Sequence, residues 1–154
     1  MFTKEELRQI RSEFWERFRL KMEKERSASG RRKNWLHYRS NIADLYFRLD
    51  FDGNEAVLFI DLQMKDEGVR EVVWEQFMET KNILIQCVGD ELQLLPSYSL
   101  SNHIEVHRMK WSLTGVSIFN PDDHGKAIDY LKEKIKGLDE FWSDYFDLFY
   151  ALCN

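Results

Sequence analysis

Apolar residues recur at three- and four-residue steps through Leu7, Ile10, Phe14, Phe18 and Met22, which places them on one face of a helix. Thr3 with Glu6 three residues on is a capping-box pattern that starts this helix, and Ser27-Ala28-Ser29-Gly30 ends it beyond Arg26. From Asp44 the period drops to two. Leu45, Phe47, Leu49 and Phe51 share one face, and after Gly53-Asn54 the residues Leu58, Ile60, Leu62 and Met64 do the same. This predicts a β-hairpin with a two-residue turn, of the kind that asks for positive φ at Gly53. Counting outward from that turn sets Asp52 opposite Glu55, Asp50 opposite Val57, Arg48 opposite Phe59, Tyr46 opposite Asp61 and Asp44 opposite Gln63.

Beyond the hairpin, Asp66 caps a helix whose stripe is Val69, Val72, Val73, Phe77 and Leu84, with Gly89 as its stop. Glu91 to Leu95 is a short strand and Pro96 to Asn102 a loop. Ile104, Val106 and Arg108 open an extended stretch that continues through Trp111 to Phe119. Asn120 as cap, Pro121 at the first helical position and two acidic residues after it open the last helix. Its stripe runs from Ile128 through Leu131, Ile135, Leu138, Trp142 and Tyr145 to Phe149, with Gly137 as a candidate kink. The fold class is α+β, one domain over residues 1–154: an antiparallel-hairpin-centred sheet flanked by three helices. The order is helix, a short strand or ordered loop, two strands, helix, two strands, helix.

Composition narrows the class without naming an activity. A hydrophobic content of 44%, with 11 Phe, 5 Trp and 6 Tyr, supports a packed core and excludes disorder. No apolar run reaches the roughly 20 residues that a membrane helix needs, and Met1 leads into Thr3-Lys4-Glu5-Glu6 rather than an apolar leader. With two cysteines, Cys87 and Cys153, outside any metal-ligand spacing, the chain is expected to be cytoplasmic and off the membrane. The net charge of −5 hides an asymmetry: residues 1–40 carry 12 Lys and Arg against 6 acidic residues, the remainder 10 against 21. Such an end either faces nucleic acid, complements another acidic surface, or keeps a helix and loop solvated.

Several stretches carry a family likeness. Asn34, Trp35 and Tyr38 form N-W-x-x-Y, Phe47, Arg48 and Asp50 form F-R-x-D, and Ile60 to Asp66 reads I-D-x-Q-x-K-D. With Glu75 to Phe77, Thr114 to Asn120 and Leu138 to Trp142, they resemble an uncharacterised bacterial domain-of-unknown-function family, number 4268. The resemblance covers almost the whole chain, and relatives fused behind nuclease-like domains imply a setting in nucleic-acid processing or defence. Where members carry a Trp-bearing strand after the second helix, this chain has Glu91-Leu92-Gln93-Leu94.

The hairpin also supplies the sharpest candidate chemistry. Its register gathers Asp44, Asp61, Gln63 and Lys65 at the open end, and an Asp entering one strand with D-x-Q-x-K leaving the next is similar to the PD-(D/E)xK nuclease core. In that reading Asp44 and Asp61 hold Mg²⁺ and Lys65 orients the attacking water. In the other, Tyr46, Arg48, Asp61 and Gln63 form a structural polar patch in which Arg48 reaches Asp61 diagonally and Lys65 reaches Asp44, with no metal or other cofactor.

Arg31, Arg32 and Lys33 beside Trp35, His37 and Tyr38 either contact phosphates and stack bases, or form a basic loop whose rings tuck into the core. His103, Glu105 and His107 lie on one strand face, too strung out to share a metal without a second element. The aromatic excess at Trp142, Tyr145 and Phe149 is that of a homodimer interface or of a helix buried between layers. The sequence therefore reads as a non-catalytic, self-associating interaction module beside a nucleic-acid-processing or defence partner. The alternative is a metal-dependent nuclease.

Overall fold

A computed structural model describes residues 1–153. Helix α1 spans Lys4–Met22 and is capped as its sequence asks: Thr3 Oγ1 accepts from the Glu6 N–H, and Glu6 returns the bond to the Thr3 N–H. Phe14, Phe18 and Met22 are its buried face, each contributing about 1.5–3 kcal/mol through removal from water. A loop then leads to β1 (Leu45–Phe51) and β2 (Glu55–Leu62), which pair antiparallel with Tyr46 opposite Asp61, Arg48 opposite Phe59 and Asp50 opposite Val57. The predicted register holds.

The turn between them is built differently from the expectation. Gly53 is not among the glycines at positive φ. Instead Asp52 Oδ1 accepts from the N–H groups of both Asn54 and Glu55, so a side chain closes the turn that backbone strain was expected to close.

Four helices are present where three were expected, because the second breaks at Thr80 into α2 (Glu67–Glu79) and α3 (Lys81–Val88). Thr80 Oγ1 donates to the Gln76 and Phe77 carbonyls, competing with the helical ladder at that point. Strand β3 (Gln93–Ser99) runs through Pro96, which was expected to end it; β3 lies at the sheet edge, and its pairing is irregular between Leu95 and Tyr98. β4 (Glu105–Thr114) stops short of the expected Phe119, at a turn where Gly115 takes a φ of 76°. The sheet is antiparallel throughout, in the order β1-β2-β4-β3. A single turn of 3-10 helix at Pro121–Asp123 leads into α4 (His124–Leu152), and Asn120 caps that turn by accepting from the Asp122 N–H.

The helices cover one sheet face, where Phe47, Phe51, Leu58, Ile60, Met109 and Trp111 meet Phe14, Phe77, Leu131 and Trp142 in one core. α4 continues unbroken through Gly137, so the expected kink is absent. The glycine is there for closeness: a methyl group at this position would run into the Cys87 carbonyl, so α3 packs backbone to helix against α4. The opposite sheet face carries Tyr46, Arg48, Phe59, Asp61, Arg108 and Lys110.

The outer edge of β1 is closed at both ends. Leu45 donates to the Ile42 carbonyl and accepts from Ser40 Oγ, while the Phe51 carbonyl accepts from Arg11 and its N–H is held by the Asp50 carboxylate. No helix among the described residues is long and apolar enough to cross a membrane.

Candidate functional site

The residues of the nuclease-like pattern are adjacent in the hairpin but divided in space. The Asp44 carbonyl accepts from the Gln63 N–H at 2.8 Å, so the two are cross-strand neighbours as the register requires. Asp61, however, has 0% exposure, and both its oxygens face Arg108 on β4, at 2.6 Å from Nε and 2.8 Å from Nη2. Burial works against the Arg108 charge, but the hydrogen bonds and charge of Asp61 outweigh it and shift its pKa upward. The guanidinium also lies between two rings, 4.1 Å from the centre of Phe59 and 4.2 Å from that of Tyr98.

This corrects the expected polar patch. Arg48 does not reach Asp61; it is exposed and stacks on Tyr46, 4.5 Å from the ring centre. Asp44, at a φ of 64°, and Lys65 line one cavity of about 330 Å³ but form no ion pair with each other among the described residues. Asp61 and Gln63 are not part of that cavity, and the buried Gln63 Nε2 has no partner. A divalent cation needs ionised, uncommitted carboxylates. Asp61 is fully committed to Arg108, and no group of three or more His, Cys, Asp or Glu able to hold a metal occurs among the described residues. The residues present do not fit a Mg²⁺ site.

The histidine strand is also dispersed. His103 sits at an exposed turn with a φ of 65°, whereas His107 is buried against Trp74, its ring nitrogens facing Glu71 and the Pro96 carbonyl. Cys87 is not an activated thiol, because burial and then the charges of Glu140 and Asp144 push its pKa up.

In the basic segment the Trp35 and Tyr38 rings turn inward and the cations outward, with Lys33 Nζ still over the Tyr38 ring, 5.1 Å from its centre. Trp35 and Tyr38 are buried and so do not offer their faces for base stacking. Trp35 donates to the Glu25 carbonyl, and Tyr38 donates to Asp139 at 2.5 Å. Asp139, itself buried on α4, also accepts from Ser27 Oγ at 2.8 Å and from the Ala28 N–H at 2.7 Å. Three donors and no cation thus hold one carboxylate, and they fasten both ends of the loop to α4. Arg26 and Arg32 face each other as an antiparallel bridge, closed by Ser27 N–H to the Arg31 carbonyl and by Gly30 at a φ of 81°. Arg26, Arg31, Arg32 and Lys33 are all exposed, and none has a carboxylate partner among the described residues. Like charges directly opposed across a bridge repel, so this hairpin carries an unsatisfied positive field.

The aromatic end of α4 is divided: Phe141, Trp142 and Phe149 are buried, Tyr145 and Phe146 half-buried, and Leu148 and Tyr150 exposed. Trp142 and Phe149 are 4% and 0% exposed and pack on Phe77, and Tyr145 stacks on Phe141 at 4.8 Å. Trp142 and Phe149 are thus spent on the core, whereas Tyr145 is half-buried. The excess of rings is used by α4 lying between the sheet and the α2–α3 pair.

Sequence reasoning overlooked Asp139 and Arg108. Asp139 was detectable, since it falls four residues after Ile135 and three before Trp142, on the stripe that should be apolar. Arg108 as the partner of Asp61 depends on the β2–β4 register, which no local pattern carries.

A protein-family model described as Domain of unknown function (DUF4268) matches residues 10–146. No curated protein and no solved structure matches the chain significantly.

Proposed function

The chain belongs to the DUF4268 family, whose description assigns no activity, and from its own surface we propose that it is a cytoplasmic, non-catalytic module that binds nucleic acid through the hairpin at residues 26–33. The observation that carries this reading is the bridge between Arg26 and Arg32, flanked by Arg31 and Lys33, none of the four in an ion pair among the described residues. Phosphates are the polyanion such a field suits, and neutralising them releases counterions. Anchoring of the loop through Asp139 favours binding further, because the cations are presented without an ordering cost. The commitment of Asp61 to Arg108 supports a binding role over a metal-dependent nuclease.

The test is titration of fluorescent oligonucleotides by the whole protein at several salt concentrations. Binding is expected to weaken linearly in log–log form with salt, and each of Arg31→Glu, Arg32→Glu and Lys33→Glu is expected to reduce that slope by about 1. Absence of binding at low salt, or binding indifferent to all three substitutions, removes the proposal.

A further inference from the structure

The hairpin does not stand alone on its side of the molecule. A cavity of about 260 Å³ beside Arg32 and Lys33 and a groove of about 920 Å³ along β1 share Leu36 as a common wall, so the two depressions adjoin. Trp15 enters the groove from α1, His37 and Arg39 from the loop, and Tyr46 and Arg48 from β1. Arg39 and Arg48 have no carboxylate partner among the described residues, and Tyr46 is 36% exposed with Arg48 lying on its ring. Cations therefore cluster at two places, Arg32 with Lys33 and Arg39 with Arg48, and half-buried or exposed rings lie in the groove beside the second cluster.

We infer that this continuous surface takes single-stranded nucleic acid, with phosphates at the two cation clusters and bases stacked on Trp15, His37 and Tyr46. The inference rests on the proposed function and adds the class of ligand. A duplex stacks its bases on one another and offers a protein its phosphates and the base edges in its grooves, so rings that act by stacking find no free base face on it. An unpaired strand has base faces free, and stacking on an aromatic side chain is the sequence-tolerant way to hold them. The carboxylates that face the path are Glu23, Asp44 and Asp50. Asp50 already accepts from the Phe51 N–H at 2.9 Å. Their effect is to confine phosphate contact to the two cation clusters instead of the whole groove, which is how a strand is set in register. Glu25 and Arg19 lie on the same path but are paired, Glu25 with Lys132 and Lys136 and Arg19 with Glu16.

The experiment compares a short single-stranded oligonucleotide, a hairpin duplex of the same sequence and a poly-glutamate peptide of matched length, each labelled and titrated with the whole protein. Tyr46→Leu and Arg48→Glu are exposed changes, and circular dichroism checks that each variant retains its fold. The single strand is expected to bind at least tenfold more tightly than the duplex. Tyr46→Leu is expected to weaken the single strand by about tenfold, in line with the loss of one stacked base, and to leave the duplex unchanged. Equal affinity for strand and duplex, or groove variants without effect while Arg32→Glu abolishes binding of both, overturns the inference and leaves the proposed function standing. Tighter binding of poly-glutamate than of either oligonucleotide overturns it in favour of an acidic protein segment. No oligonucleotide binding by the unmodified protein removes both readings together.

Discussion

Asp61 and Arg108 face each other across β2 and β4, each carboxylate oxygen on a different nitrogen of the guanidinium and the carboxylate wholly out of water. Such a pair is costly to break and cheap to replace, since removing one partner leaves the other charge buried and alone. Arg108→Met is expected to lower stability by about 3–5 kcal/mol in urea unfolding. The double variant Asp61→Leu with Arg108→Met is expected to recover most of that loss. A double variant as unstable as the single would show that packing around Phe59 and Tyr98, and not the charge pair, is what Arg108 supplies.

The same pairing bears on chemistry. A carboxylate neutralised on both oxygens has little affinity left for Mg²⁺ or Mn²⁺, so neither metal is expected to promote cleavage of single- or double-stranded DNA or RNA. Metal-dependent cleavage that vanishes in Asp44→Ala and in Lys65→Ala, with the fold intact by circular dichroism, would reverse the ranking of the two functions.

Alkaline pH tests the anchoring of the basic loop. Burial first, and then the hydrogen bond to Asp139, pushes the Tyr38 phenol well above its ordinary value, and burial with Glu91 does the same to Tyr130. The unfolded chain loses these protons first, near the free value of about 10, so stability is complete below that pH and declines above it. Urea midpoints should stay level up to about pH 9 and fall above about pH 10, less steeply in Tyr38→Phe. A Tyr38→Phe profile identical to that of the unmodified protein would mean that the phenol is not held by Asp139 in solution.

Gly137 gives a prediction of opposite sign to helix propensity. Alanine is favoured over glycine inside a helix by about 1 kcal/mol, yet a methyl here meets the Cys87 carbonyl. Gly137→Ala is expected to destabilise the chain by about 1–3 kcal/mol, because α3 must move away from α4. A rise in melting temperature would show that the two helices are not packed this closely.

What was legible in the sequence was whatever local periodicity decides. The alternation of Leu45 to Phe51 against Leu58 to Met64 located the hairpin and paired Tyr46 with Asp61 correctly, because a slip of one residue would turn every apolar side chain outward. The turn was misread because Asp52 closes it by side-chain hydrogen bonds, which relieves Gly53 of an unusual φ. The split at Thr80 and the passage of β3 through Pro96 were hidden for a related reason, since each depends on neighbours that tolerate a local fault. The candidate site was half legible: the cations stood out, whereas the fate of Trp35 and Tyr38 rested on Glu25 and Asp139, the second of them more than a hundred residues away.

The closed outer edge of β1 has a bearing on how this molecule meets others. A bare edge strand accepts any extended segment through its backbone and so invites promiscuous pairing and fibre growth. With Ser40, Ile42 and Arg11 occupying the groups at Leu45 and Phe51, and Arg39 bridged antiparallel to Tyr46, little of the strand's outer edge is left to a newcomer. Recognition along this flank must then pass through the chemistry of Arg48, Tyr46 and Arg39, and selectivity for a ligand and resistance to aggregation become the same property of one strand.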